Sequence, residues 1–207
     1  MPDHAASKNN PSMDGHAPDR GEIALLIIDM INDLEFDEGE QLLKSALPAA
    51  QNIARLKRRF AAAQLPVIYA NDNFGKWKSD FRGQVDRCLQ ADVRGKPLVQ
   101  CLQPEEEDYF VLKPKHSAFY ATTLDVLLQH LQVKRLVITG VATDICVLFT
   151  ANDAYMRDFQ LAIPADCVAA NSQQISEAAL QLMHRVLKAD TRPLDQWLEE
   201  FPPGWSA

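Results

Sequence analysis

The sequence predicts an α/β protein, a parallel sheet with helices packed on both faces. Three observations carry that expectation. Apolar runs of strand length alternate strictly with helical patterns, as βαβ units require. Crossovers between such strands are right-handed and leave the strands parallel. The 207 residues, 47% of them hydrophobic and 24% charged, suit one globular domain with a proper core.

The elements follow in order. Residues 23–28, IALLII, form an unbroken apolar run that stops at Asp29 and read as the first strand. A helix is expected around 42–64, with Ile53, Leu56 and Phe60 on one face. Residues 66–70 are the second strand, set off by Pro66. The stretch 71–80 reads as a loop, with a short helix after it. Residues 109–112 are the third strand, ended by Pro114. Leu124, Leu127, Leu128 and Leu131 fall at helical spacing within 122–131. Residues 135–139 are the fourth strand, 144–157 a helix and 160–164 the fifth strand. Helices over 174–187 and 194–200 complete the pattern.

The formal net charge of −7 and a pI near 5.2 disfavour nucleic acid and anionic membranes as partners, since both need a basic surface. Lys57, Arg58 and Arg59 read as the solvated face of a helix. No apolar run approaches the ~20 residues that span a bilayer. The start, MPDHAASKNNPSMDGHAPDRG, lacks the basic and then apolar plan of a signal peptide. Residues 1–20 are expected to be a flexible tail and 21–207 a single domain. The four cysteines, Cys88, Cys101, Cys146 and Cys167, show no paired or zinc-type spacing. A reducing, cytoplasmic setting is therefore expected, with all but Cys146 serving as small apolar fillers.

Function is expected at the carboxyl edge of the sheet, where sites in such folds lie. Asp29 follows the first strand, Lys113 the third and Cys146 the fourth, so all three reach one rim. Cys146 is expected on the first turn of the helix over 144–157, where the helix dipole and unpaired N–H groups favour thiolate. Asp29 can act as base and Lys113 can hold both partners charged, a set complete for attack on a carbonyl carbon. N–H groups of the turn between Gly140 and Cys146 can serve a developing oxyanion. Each residue also has a plainer reading. A Cys in an apolar helix is more often inert, Asp29 can cap a turn, and Lys115 competes with Lys113. Co-location on one rim raises the set above those readings.

At these residues the chain resembles the isochorismatase-like cysteine hydrolases. ALLIIDMINDL is similar to that family's first strand with its aspartate, here Asp29. VLKPKHSAFYATTL is similar to its lysine motif, with Lys113 four residues before Ser-Ala-Phe, and GVATDICVLFTANDAYMRDF to its nucleophile motif, with Cys146. ADCVAANSQQISEAALQLM is similar to its closing strand and helix. The resemblance implies a three-layer fold around a six-stranded parallel sheet. It also implies a cis peptide before Ala142, an oxyanion hole from the N–H groups of Ala142 and Cys146, and homo-oligomers, dimers or tetramers. Metal-binding nicotinamidases of the family carry an Asp and several His after the second strand. ANDNFGKWKSDF has no His there, so neither metal nor cofactor is expected.

Asn73, Phe74 and Trp77 border the rim, and Phe119 and Tyr120 follow the lysine motif. These five are candidates for lining a pocket for a small planar or amide substrate, balanced against packing beneath the loop. His116, beside Ser-Ala-Phe, reads as structural. The expected function is a cysteine-dependent hydrolase of a small amide, carbamoyl or related C–N compound through a thioester. The alternative is a non-catalytic small-molecule-binding or interaction protein on the same fold. A thiol redox sensor ranks last, because no resolving Cys stands near in sequence.

Overall fold

A computed structural model describes residues 22–73, 80–90 and 92–199. The proposed tail over 1–20 lies outside them. Strands β1 (Ile23–Ile28), β2 (Val67–Asp72), β3 (Tyr109–Lys113), β4 (Arg135–Val141), β5 (Gln160–Ala162) and β6 (Val168–Ala169) form one six-stranded sheet. Its order is β3-β2-β1-β4-β5, all pairs are parallel, and β6 pairs with the end of β4. Helices α1 (Gly39–Ala62), α2 (Phe81–Gln90), α3 (Lys96–Cys101), α4 (Leu124–His130), α5 (Leu148–Tyr155), α6 (Gln173–Leu187) and α7 (Leu194–Glu199) cover it.

The central strand shows why the run over 23–28 is apolar at every position. Ile23, Leu25 and Ile27 enter one core with Ile53 and Phe60 of α1, Leu98 of α3 and Trp197 of α7. Ala24, Leu26 and Ile28 enter a second core with Leu128 of α4, Ala151 of α5 and Met183 of α6. A strand covered on both faces alternates between two interiors and never meets water. The three layers expected from the sequence are therefore present.

Three local features differ from expectation. The stretch 80–101 carries two helices, α2 and α3, in place of one short piece. Asn71 and Asp72 extend β2 and are not loop. Lys57 is buried rather than solvated: its Nζ lies 2.7 Å from an Asp108 carboxylate that is equally enclosed, and it donates to the Gln103 carbonyl at 2.9 Å. A buried cation persists only when paired and hydrogen-bonded in this way.

Helix α6 starts at Ser172, whose hydroxyl accepts from the Ile175 N–H at 3.2 Å. Ser172→Ala is expected to destabilise the fold by about 1 kcal/mol, the usual worth of an N-cap, read from the shift in a urea unfolding midpoint.

Candidate active site

The three rim residues meet at the carboxyl ends of β1, β3 and β4. Asp29 leaves β1 with φ 54°, a left-handed conformation that Asp adopts more readily than most residues. Its N–H donates to the Ala70 carbonyl at 3.0 Å. That turn aims the carboxylate across the sheet edge. Oδ1 accepts from the Asp72 N–H at 2.8 Å, and Oδ2 lies 2.8 Å from Lys113 Nζ. Lys113 ends β3 in register with Asp72, and no part of its side chain reaches solvent. Its ammonium also donates to the Lys115 carbonyl at 3.3 Å and stands 3.5 Å from Cys146 Sγ and 3.9 Å from the Asp72 carboxylate. Of the two lysines, Lys113 is the one whose ammonium joins this cluster. Lys115 is exposed and offers this cluster only its carbonyl.

Gly140 makes the junction possible. It pairs with Ile28, adopts φ 109°, and a Cβ there would lie 2.0 Å from the Ile28 carbonyl oxygen. Only glycine fits, both for conformation and for approach. Gly140→Ala is expected to destabilise the fold by about 3 kcal/mol or more and to displace Asp29, the residue after Ile28. Thermal unfolding measures the first effect, and loss of turnover reports the second.

Cys146 is not on the first turn of an α-helix. It lies in a single π-turn over Thr143–Val147 that precedes α5. Here the Ala142 carbonyl accepts from both the Ile145 and the Val147 N–H, each at 3.1 Å, and the Val141–Ala142 peptide is cis. The turn is anchored on two sides. Thr143 and Ser176 of α6 share a buried hydroxyl hydrogen bond of 2.8 Å. The Thr150 hydroxyl donates to the Cys146 carbonyl at 2.7 Å and accepts the Ala118 N–H at 3.0 Å, tying the turn to the loop after Lys113. Single π-turns are frequent at functional sites.

The electrostatics also correct the expected thiolate. Burial pushes the Cys146 thiol up, the Asp29 carboxylate pushes it further, and Lys113 only partly opposes them, leaving it at about 12. Burial likewise raises the Asp29 carboxyl above the usual carboxylate range, against the pull of Lys113 and of hydrogen bonds from Lys113, Cys146 and the Asp72 N–H. Burial alone lowers the Lys113 ammonium, but Asp29, Cys146 and Asp72 together more than offset it, so its net shift is upward. These shifts favour the thiol over the thiolate at Cys146, beside the 2.8 Å contact of Asp29 with Lys113. A thiol with a pKa near 12 gains thiolate tenfold per pH unit at any lower pH. Iodoacetamide alkylation of Cys146 is thus expected to rise about tenfold per unit between pH 7 and 9, without a plateau. Peptide mass spectrometry follows it, and a plateau below pH 8 would mark a pre-ionised sulfur instead.

The remaining candidates divide. Asn73 is buried at the end of β2, and its N–H donates to the Lys113 carbonyl at 3.1 Å. Phe119 enters the core, with its ring 6.1 Å from that of Phe159 and beneath the Arg157 guanidinium at 4.7 Å. Tyr120 is exposed. Phe74 and Trp77 lie outside the described residues. Two groups in contact with this cluster were not expected. Asp72 supplies both an N–H to Asp29 and a second carboxylate near Lys113; its place at the end of β2, beside β1, is the signal that finds it. His116 brings Nδ1 to 3.8 Å from Cys146 Sγ. Among the described residues no group of three or more His, Cys, Asp or Glu is placed to hold a metal.

Known proteins share this fold. Residues 23–191 match the model of the isochorismatase domain. The chain is 45% identical over 181 residues to the uncharacterized isochorismatase family protein YaaI of Bacillus subtilis (strain 168), covering 87% of this chain and 99% of that protein. It is 27% identical over 183 residues to the ureidoacrylate amidohydrolase RutB of Serratia proteamaculans, covering 76% of this chain and 74% of that one. The crystal structure of the nicotinamidase SaPncA from Staphylococcus aureus superposes with a TM-score of 0.63 at 26% identity, over 83% of this chain and 99% of the other. The relatives with named activities, a ureidoacrylate amidohydrolase and a nicotinamidase, are hydrolases of the amidohydrolase type. The chain belongs to the isochorismatase family.

Proposed function

We infer that the protein hydrolyses a small amide, ureido or carbamoyl compound through a thioester on Cys146. The observation that carries this reading is Lys113 Nζ, sealed from solvent between the Asp29 carboxylate at 2.8 Å and the Cys146 sulfur at 3.5 Å. A buried ammonium holding a carboxylate beside a thiol is costly unless the three groups act together.

Asp29 takes the thiol proton as sulfur attacks the substrate carbonyl. Its raised proton affinity suits it to do so, and Lys113 stabilises the charge that moves through the pair. The oxyanion of the tetrahedral intermediate is received by the N–H groups of Ala142 and Cys146 at the π-turn. Collapse breaks the C–N bond, and the nitrogen leaves with the proton that Asp29 returns. Water then attacks the thioester carbon, releasing the acid and restoring the thiol. Asn73 and Tyr120 border the rim as substrate contacts, and Phe119 supports it from the core.

Four free cysteines support a reducing, cytoplasmic setting. No helix among the described residues is long and apolar enough to cross a membrane. The acid balance argues for a small-molecule substrate and against nucleic acid. Exposed Phe149, Tyr155 and Met156, and Ile175, Leu182 and Val186 on α6, support self-association into a dimer or tetramer, which sedimentation equilibrium measures. The activity is tested by a screen of small amides, ureides and carbamoyl compounds for released ammonia. At least one is expected to turn over, and silence across all three classes contradicts the reading.

A further inference from the structure

Cys146 has a second proton-handling neighbour that the Asp29–Lys113 pair does not call for. His116 Nδ1 stands 3.8 Å from the sulfur, within the reach of a hydrogen bond to sulfur. Asp29 and Lys113 are buried, whereas His116 is exposed. The sulfur is therefore served from the interior by a carboxylate and from the solvent side by an imidazole.

The loop holds His116 in place. The Ser117 hydroxyl bonds the Asp153 carboxylate, and the Ala118 N–H bonds Thr150, which in turn bonds the Cys146 carbonyl. The imidazole also packs on Phe149 with ring centroids 5.6 Å apart. Asp153, Thr150 and Phe149 all belong to α5, the helix that continues from the cysteine turn. Imidazole and sulfur thus share one rigid support.

The thioester route proposed above needs a base twice, first for the thiol proton and then for a proton of the attacking water. Both Asp29 oxygens are engaged, Oδ1 by the Asp72 N–H and Oδ2 by Lys113, and the carboxylate is almost sealed from water. Water reaches the acyl group from solvent, which is the side His116 occupies. The geometry points to His116 as the general base of thioester hydrolysis, a role that rests on that reading of Cys146. Neutral imidazole takes one proton from the attacking water as its oxygen bonds to the acyl carbon. When the C–S bond breaks, the electron pair returns to sulfur, and the imidazolium passes that proton to it across the same contact. The acid keeps the water oxygen and the other proton, and the resting thiol is regenerated.

p-Nitrophenyl acetate separates the two halves, because its leaving group needs no protonation. The burst of p-nitrophenolate reports acetylation of Cys146, and the steady rate reports deacetylation. In His116→Gln the burst is expected to stay within about twofold of the parent, while deacetylation slows ~10²-fold, as when a positioned base is removed. Acetyl-Cys146 then accumulates by intact mass. Hydroxylamine, which needs no base to attack a thioester, is expected to restore its loss. Unchanged deacetylation, or equal slowing of both phases without rescue, overturns the role; the latter marks a merely structural histidine. Cys146→Ala separates the two readings: a burst surviving there overturns the thiol chemistry itself, and the base role with it.

Discussion

Cys146→Ala is expected to lower kcat by about 10⁴-fold or more on any amide the parent hydrolyses, the scale seen when a nucleophile acting as part of a unit is removed. The fold is expected to survive, because the side chain is only partly buried and the turn is held through backbone and neighbouring hydroxyls. Cys146→Ser is expected to fall almost as far. In the proposed mechanism sulfur gives its proton to Asp29, and a thiol, even one raised to about 12, is more acidic than an alcohol in the same place. Ammonia release from both variants, alongside unchanged unfolding midpoints, separates chemistry from stability.

Lys113→Met is expected to cost stability as well as activity. Removing the ammonium leaves the Asp29 carboxylate buried and unpaired, with Asp72 nearby to repel it. Breaking a buried pair from one side typically costs about 3–5 kcal/mol. The double variant Asp29→Asn with Lys113→Met takes away both charges and is expected to recover most of that loss while staying inactive. Asp29→Asn alone is expected to reduce kcat by ~10²–10⁴, the worth of a positioned base. Urea unfolding of all three gives the stability cycle. A single Lys113→Met within about 1 kcal/mol of the parent would show that the pair contributes little to the fold.

Much of the architecture was legible because burial is written into residue type. The run over 23–28 is apolar throughout since both faces of β1 are covered, and the placement of Asp29, Lys113 and Cys146 follows from parallel topology alone. What escaped depends on partners distant in sequence. Helix α2 buries only Phe81, Gln84 and Cys88 among charged neighbours, so little apolar content marks it in the sequence. The burial of Lys57 depends on Asp108, which no local pattern connects to it. The π-turn arises from one carbonyl, that of Ala142, serving two donors, a detail below the resolution of hydrophobic spacing. The raised thiol follows from enclosure and from a carboxylate brought in by β1, neither visible beside Cys146 in the sequence. His116 sits in a loop, and topology places strand ends but not loop side chains.

The most direct measurement is tandem mass spectrometry of the full chain, acid-quenched while it turns over an amide that releases ammonia. The account predicts a mass adduct equal to the substrate's acyl group, carried by the peptide containing Cys146 and absent in Cys146→Ala. Turnover with an adduct on Cys88, Cys101 or Cys167 alone, or sustained by Cys146→Ala at the parent rate, would contradict it.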